Sequence, residues 1–318
     1  MSILPRIQAE LDSLISATSS WPAQPISVFK SGKQEPIDAL VMIGNNKVFA
    51  CTRDGAIRSS LKSVSGGYSA LGVLRRTRKS DPKSQDAEDS LLVAATWPGK
   101  VQILKEDFSV QSEVDLKVFP GGEKIMGVDA FGHRIAVFTR NDMVFVLDAG
   151  NLSVRSSWQG SGQIHGLAWD GCGKLWLALS GGKVEVYDFV SESPVVHSFH
   201  AHSVAVLSIA SDSDFVVTGG ADAVVGVWDP VTMVCLRTFT SCTSAVTTVA
   251  INDGVVAWAS KESGDHVAYL GGSRSGQLLK TVTAASPVTR LALGSVGSFA
   301  LATTGGCELY EVGMNVKA

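Results

Sequence analysis

A motif returns along this chain at a nearly constant distance. Short apolar runs close on a fixed pair of positions: "NDMVFVLD" on Leu147 and Asp148, "GGKVEVYD" on Tyr187 and Asp188, "ADAVVGVWD" on Trp228 and Asp229, "GDHVAYLG" on Leu270 and Gly271. The closing residues of these pairs stand 40, 41 and 42 positions apart. Upstream, "PGKVQILK" ends at Lys105, 43 before Asp148; downstream, "GGCELYE" ends at Glu311, 40 after Gly271. A unit of this size, with Gly, Asn, Asp and Ser between short apolar runs, is a small meander of strands. Such a unit cannot bury its apolar faces alone, so its neighbours must cover them.

Seven units follow from the period: 37–60, 67–115, 125–157, 164–200, 204–240, 246–282 and 288–313. The last has room for three strands, "VTRLALG", "SFALATT" and "CELYEV", where a blade needs four. The isolated run "PISVFKSG" (25–32) is expected to supply the missing outer strand. The fold class is therefore all-β: a seven-bladed WD40 β-propeller over 25–318, closed by pairing of an N-terminal strand with the last blade. Radial closure protects sheet edges that would otherwise be open to pairing.

The first 24 residues read differently. Ile3, Ile7, Leu11, Leu14 and Ile15 fall at helical spacing in "SILPRIQAELDSLISATSSWP". Pro5 suits a first turn and Ser19 to Pro22 would stop a helix. A short amphipathic helix over about 4–18 is expected, followed by a linker, with Ile7, Leu11 and Leu14 as partner-facing or self-docking residues; a helix this short is marginal unless it packs on something.

Net charge is −3, which argues against sequence-independent nucleic-acid binding by the whole surface. The cysteines are Cys51, Cys172, Cys235, Cys242 and Cys307; the number is odd and no Cys-x-x-Cys pair occurs, which reads as reduced thiols of a cytosolic or nuclear protein. No apolar run approaches a membrane span, and the N-terminus lacks the layout of a secretory signal. One charged run stands out, "RRTRKSDPKSQDAED" (75–89), with Arg75, Arg76, Arg78 and Lys79 at its head. It reads as an exposed loop between the first two strands of the second unit. As a contact it fits nuclear import, RNA or an acidic partner; no exposed aromatic beside it offers a base a stacking surface.

His202, Thr218 and Asp222 superficially resemble parts of a nucleophile–base–acid set. Their placement argues for structure instead: a His before a first strand, a Thr in the second, an Asp in the next turn and Trp228 in the third form one hydrogen-bonded chain that pairs buried polar atoms. His197, His200 and His202 lie within six residues, but no Cys or carboxylate is interleaved, so no metal site is assigned. The glycine-rich stretches "SGSG" and "LGGSRSG" lack the ending and setting of a phosphate loop. No catalytic residue, cofactor or small-molecule substrate is expected.

The stretch "TGGADAVVGVWDPVTMVCLRTF" (218–239) resembles one family closely, the THO complex subunit 3 propellers. These share the Ala-Asp-Ala turn, then Trp-Asp, then an apolar-Cys-apolar-Arg strand ending in Phe. "AVTTVAI" and "ASKESGDHVAYL" continue the resemblance, with Glu262, Asp265 and His266 at the family's acidic-His run. "NDMVFVLDAGN" and "HSFHAHSVAVLSIA" fit upstream, so that roughly 37–305 is covered. The resemblance implies a nuclear, non-enzymatic scaffold subunit of the THO/TREX mRNA-export assembly, seated on large helical subunits. Direct contact with RNA is the weaker expectation, and no membrane association is expected. A WD40 adaptor of another complex, such as a ubiquitin-ligase substrate receptor or a ribosome-assembly factor, shares the same fold and remains the alternative.

Overall fold

The structure, a computed structural model, describes residues 26–30, 36–44, 46–75, 90–116, 123–189, 195–260, 266–294 and 298–311. The expected helix with Ile7, Leu11 and Leu14 lies outside these residues, as do Arg76, Arg78, Lys79, Glu262 and Asp265. Apart from one 3-10 turn at Ser180–Gly182, the described residues form strands and turns.

The strands make seven four-stranded antiparallel sheets. The first blade is Ile37–Ile43, Lys47–Thr52, Ala56–Arg58 and Ser63–Ser65. The second is Tyr68–Arg75, Ser90–Thr96, Lys100–Leu104 and Val110–Asp115, and the third Ile125–Phe131, Arg134–Thr139, Met143–Asp148 and Val154–Gln159. The fourth is Ile164–Trp169, Leu175–Leu179, Lys183–Asp188 and Val195–His200, and the fifth Val206–Ser211, Val216–Gly220, Val225–Trp228 and Cys235–Phe239. The sixth is Val246–Asn252, Val255–Ser260, Val267–Gly272 and Leu278–Thr283. The seventh takes Val288–Leu293, Ser298–Thr303 and Gly306–Glu311 from the chain's end, and its outer strand is Ile26–Lys30, with Ile26 opposite Leu309 and Lys30 opposite Gly306.

The first blade runs further than the sequence suggests. Its third strand has only three residues, the Ser59–Lys62 turn follows at once, and the fourth strand "SVS" (Ser63–Ser65) lies past position 60. So short and polar a strand carries no apolar signal to be read.

The seven first strands touch in a cycle, each against the next, and Val288–Leu293 of the seventh blade against Ile37–Ile43 of the first. The ring is closed at its inner wall. All seven first strands carry the same register shift at their start, from Ile37/Ala39 to Val288/Arg290. Such a bulge increases local twist, which turns each sheet toward the axis.

The core is divided into wedges between neighbouring blades. Trp176 and Trp228 fill the fourth–fifth joint; Phe215, Phe239 and Trp258 the fifth–sixth; Phe299 and Tyr310 the sixth–seventh. Phe145 lies in the second–third joint, Phe138, Trp169 and Tyr187 in the third–fourth, and Phe49, Tyr68 and Phe108 in the first–second. The seventh–first joint buries Ile37, Leu40, Met42, Val48, Ala50, Ala292, Ala300, Ala302, Cys307 and Leu309.

Candidate functional site

In the fifth blade four side chains form one chain of hydrogen bonds. The Trp228 indole N–H donates to Thr218 Oγ1 (2.9 Å), Thr218 Oγ1 lies 2.8 Å from His202 Nε2, and His202 Nδ1 lies 3.0 Å from Asp222 Oδ1. The carboxylate only accepts and the indole only donates. Donation therefore runs from indole to hydroxyl to imidazole to carboxylate, with the imidazole proton on Nδ1. Asp222 also accepts from the Ser203 amide (3.0 Å) and the Val224 amide (3.2 Å), which ties the second–third turn to the strand connection arriving from the fourth blade. Burial opposes the Asp222 charge, yet the Ser203 amide, the His202 imidazole and the Val224 amide together hold its carboxyl below the ordinary value.

Gly220 makes this approach feasible. A Cβ there would stand 2.2 Å from Asp222 Oδ1 and 2.3 Å from His202 Nδ1, closer than any real contact. Thr218 is fully buried and its hydroxyl is engaged on both sides. His197 and His200 lie on the outer strand of the fourth blade, apart from this chain.

A second buried anchor, in the fourth blade, goes beyond the sequence expectations. Asp170 accepts from the Trp176 indole (2.8 Å) and from the Cys172 and Lys174 amides (2.9 Å each). Burial raises its carboxyl above the ordinary value, against the opposing pull of those three donors. Its signal is present in "WDGCGKLW": an Asp opening a Gly-x-Gly turn with a Trp six residues on.

Polar bridges also cross the joints. Asp129 Oδ2 accepts the Trp169 amide (2.8 Å), Ser211 Oγ donates to Trp169 O, Ser69 Oγ donates to Ile125 O (2.8 Å), and Arg290 Nε donates to Asp38 O (2.8 Å) across the seventh–first joint. Lys174 Nζ donates to Pro230 O (3.3 Å), and the Arg134 guanidinium lies 5.5 Å from the Phe189 ring centroid and 5.9 Å from that of Trp169. Together these fix neighbouring blades as one body.

The two faces of the ring differ in what they expose. On one lie the turns between first and second and between third and fourth strands. It exposes Leu61 (90%), Val110, Phe131, Val154, Val231 (65%), Val234 and Leu278, with Val196 and Leu236 on adjoining outer strands. The opposite face, which carries the Asp222 turn, exposes Trp97, Met126 and Val204. Arg75 ends the first strand of the second blade, opposite Ser90, at the first of these faces. Exposed apolar residues are thus more numerous on the first face, spread over several blades. No helix among the described residues is long and apolar enough to cross a membrane.

Comparison with known proteins bears on the same region. A family model described as "WD domain, G-beta repeat" matches residues 193–229, the stretch that holds His202, Thr218, Asp222 and Trp228. THO complex subunit 3 of Arabidopsis thaliana is 31% identical over 124 residues, which is 38% of this chain and 39% of that protein. The WD repeat-containing protein AAC3 of Dictyostelium discoideum is 25% identical over 160 residues, 48% of this chain and 31% of that protein. The chain thus matches less than half the length of these curated relatives. One stretch of the chain thus matches the WD-repeat model, and the described strands form a seven-bladed propeller.

Proposed function

We propose that this WD40 propeller is a non-catalytic docking subunit that acts in nuclear mRNP assembly and mRNA export, as a counterpart of THO complex subunit 3. The similarity to the Arabidopsis protein carries this reading. The mechanism is rigid presentation. Seven wedge-packed blades hold a fixed disc, and the face of Leu61, Val231, Val234 and Leu278 exposes more apolar residues than the opposite one. That face takes large helical scaffold subunits, with the charged segment headed by Arg75, Arg76, Arg78 and Lys79 alongside and the amphipathic N-terminal segment (Ile7, Leu11, Leu14) as a second contact. The His202–Thr218–Asp222–Trp228 chain is structural and turns over no substrate.

Affinity purification of the tagged chain tests this. Recovery of THO scaffold subunits supports it, and a Val231→Asp, Val234→Asp variant that stays folded reduces that recovery. An exclusively cytoplasmic tagged protein, or recovery of cullin or pre-ribosomal proteins instead, overturns it in favour of an adaptor of another complex. The similarity to a second WD-repeat protein under a different name keeps that alternative in play.

A further inference from the structure

We infer that the face carrying the Asp222 turn holds a docking surface of its own over the first three blades, and that it takes a protein segment in which an apolar side chain is flanked by aspartate or glutamate. The repeat itself assembles this surface. In five blades the residue just past the second strand donates its amide to the carbonyl that precedes the blade's own first strand. Arg53 donates to Pro36 (3.0 Å), Trp97 to Gly67 (2.7 Å), Arg140 to Lys124 (2.9 Å), Ser180 to Gln163 (2.9 Å) and Ala221 to Ala205 (2.9 Å). The five positions are therefore equivalent. On the fourth and fifth blades they carry Ser and Ala, but on the first three they carry Arg, Trp and Arg, set side by side by radial repetition.

Trp97 is the anchor of this row. Its side chain is 54% exposed, a state that leaves a large apolar ring in water. The turn beneath it is fixed. Besides the Trp97 amide, Gly99 N donates to Thr96 O (2.8 Å), and Glu123 N donates to Pro98 O (3.0 Å) from the third blade's entry. An indole presented on so well-tied a backbone loses little freedom when a partner covers it. Met126, 45% exposed, lies three residues past Glu123 and adds an adaptable apolar side chain. Trp, Met and Arg are the residue types that interfaces concentrate.

The charges around this ring choose the partner. Arg140 is exposed and Lys124 half-buried, and among the described residues neither has an ion pair. Residues 117–122, "KVFPGG", which lead into Glu123, contain no carboxylate. The nearby carboxylates are already committed to backbone: Glu123 accepts the Asn141 amide (2.6 Å) and Asp142 the Ile164 amide (2.7 Å). Arg53 pairs with Asp38 through a side chain that is 60% exposed, a contact that an incoming carboxylate can exchange. The surface thus offers an apolar centre with unmet positive charge beside it, and its complement is an apolar residue next to acidic ones.

A single-stranded nucleic acid fits less well. Strand-tracking surfaces offer successive rings for successive bases along a continuous basic groove. Here there is one exposed ring in the row, its apolar neighbour is a methionine, and the whole chain carries a net charge of −3.

The test selects a phage-displayed library of random peptides on the full-length chain. Enriched peptides are expected to join an apolar residue to neighbouring Asp or Glu. A synthetic copy of one should lose at least about tenfold in affinity for Trp97→Ala and for Arg140→Glu. The Val231→Asp, Val234→Asp variant, altered on the opposite face, should bind it unchanged. Replacing the peptide's own Asp and Glu by Asn and Gln should weaken it similarly. An unchanged urea midpoint shows that each variant is folded, and should Trp97→Ala fail to fold, Arg140→Glu carries the test alone. Three results overturn the proposal: no selected peptide depends on Trp97 or Arg140; the neutralised peptide binds as tightly as the acidic one; or a short oligouridylate binds more tightly than the peptide and loses that binding in both variants.

Discussion

The fourth–fifth joint and the seventh–first joint do the same job with opposite means. In the first, Trp176 and Trp228 bracket Phe199, with ring centroids 6.0 and 5.1 Å from it, and the Trp228 indole continues into the buried chain through Thr218 and His202 to Asp222. In the second, the side chains described are alanine methyls, aliphatic groups and the Cys307 thiol, and Arg290 reaches the Asp38 carbonyl. One radial architecture thus accepts different side-chain solutions at its joints.

The largest way to break this comparison is to empty the strong side. Trp258 is fully buried in the fifth–sixth joint, stacked on Phe239 at 4.5 Å and Tyr269 at 5.7 Å. Trp258→Ala should cost about 3–5 kcal/mol in urea unfolding; a loss below about 1 kcal/mol would mean that the rings contribute little. Next is the polar chain. Thr218→Val keeps the shape but strands the Trp228 indole and the His202 imidazole. A cost of about 1–3 kcal/mol is expected, and an unchanged urea midpoint would remove the network from the account.

The pH dependence of that network has a definite sign. The Asp222 carboxyl is held below its ordinary value, so its contribution is present above the unfolded-state pKa and disappears as pH falls through the folded-state value. Thermal melts between about pH 5 and pH 2 should fall more steeply for the unaltered chain than for Asp222→Asn; parallel curves would contradict the assignment. The smallest effect is in the adjoining turn. Ala223 sits at φ 64°, where a side chain is strained. Ala223→Gly should stabilise by no more than about 1 kcal/mol, and a clear loss would show that its packing on the fifth–sixth wedge outweighs the strain.

The period and Trp228 make seven radial units legible from the sequence alone, because strand spacing is written locally. Blade edges are less legible where the strand is short and polar, as at Ser63–Ser65. A stronger repeat signature lies at the second strands. Thr52, Thr96 and Thr139 end them, and three residues on come Gly55, Gly99 and Asp142, each with positive φ and its amide donating to the threonine carbonyl (2.8–3.0 Å). The third-strand pair alone does not reveal it. The Asp170–Trp176 anchor is likewise written in its own turn but carries no familiar spacing. The seventh–first joint is invisible in the sequence, since Ala50 and Ala300 are 250 positions apart in the chain and share one core only when the ring closes.

The most direct test is residue-resolved hydrogen exchange on the full-length chain under native conditions. The account predicts that amides of Val216–Gly220 and Val225–Trp228, which carry the buried Thr218 and Trp228, exchange only with global unfolding. Exchange of these amides well before global unfolding would contradict it.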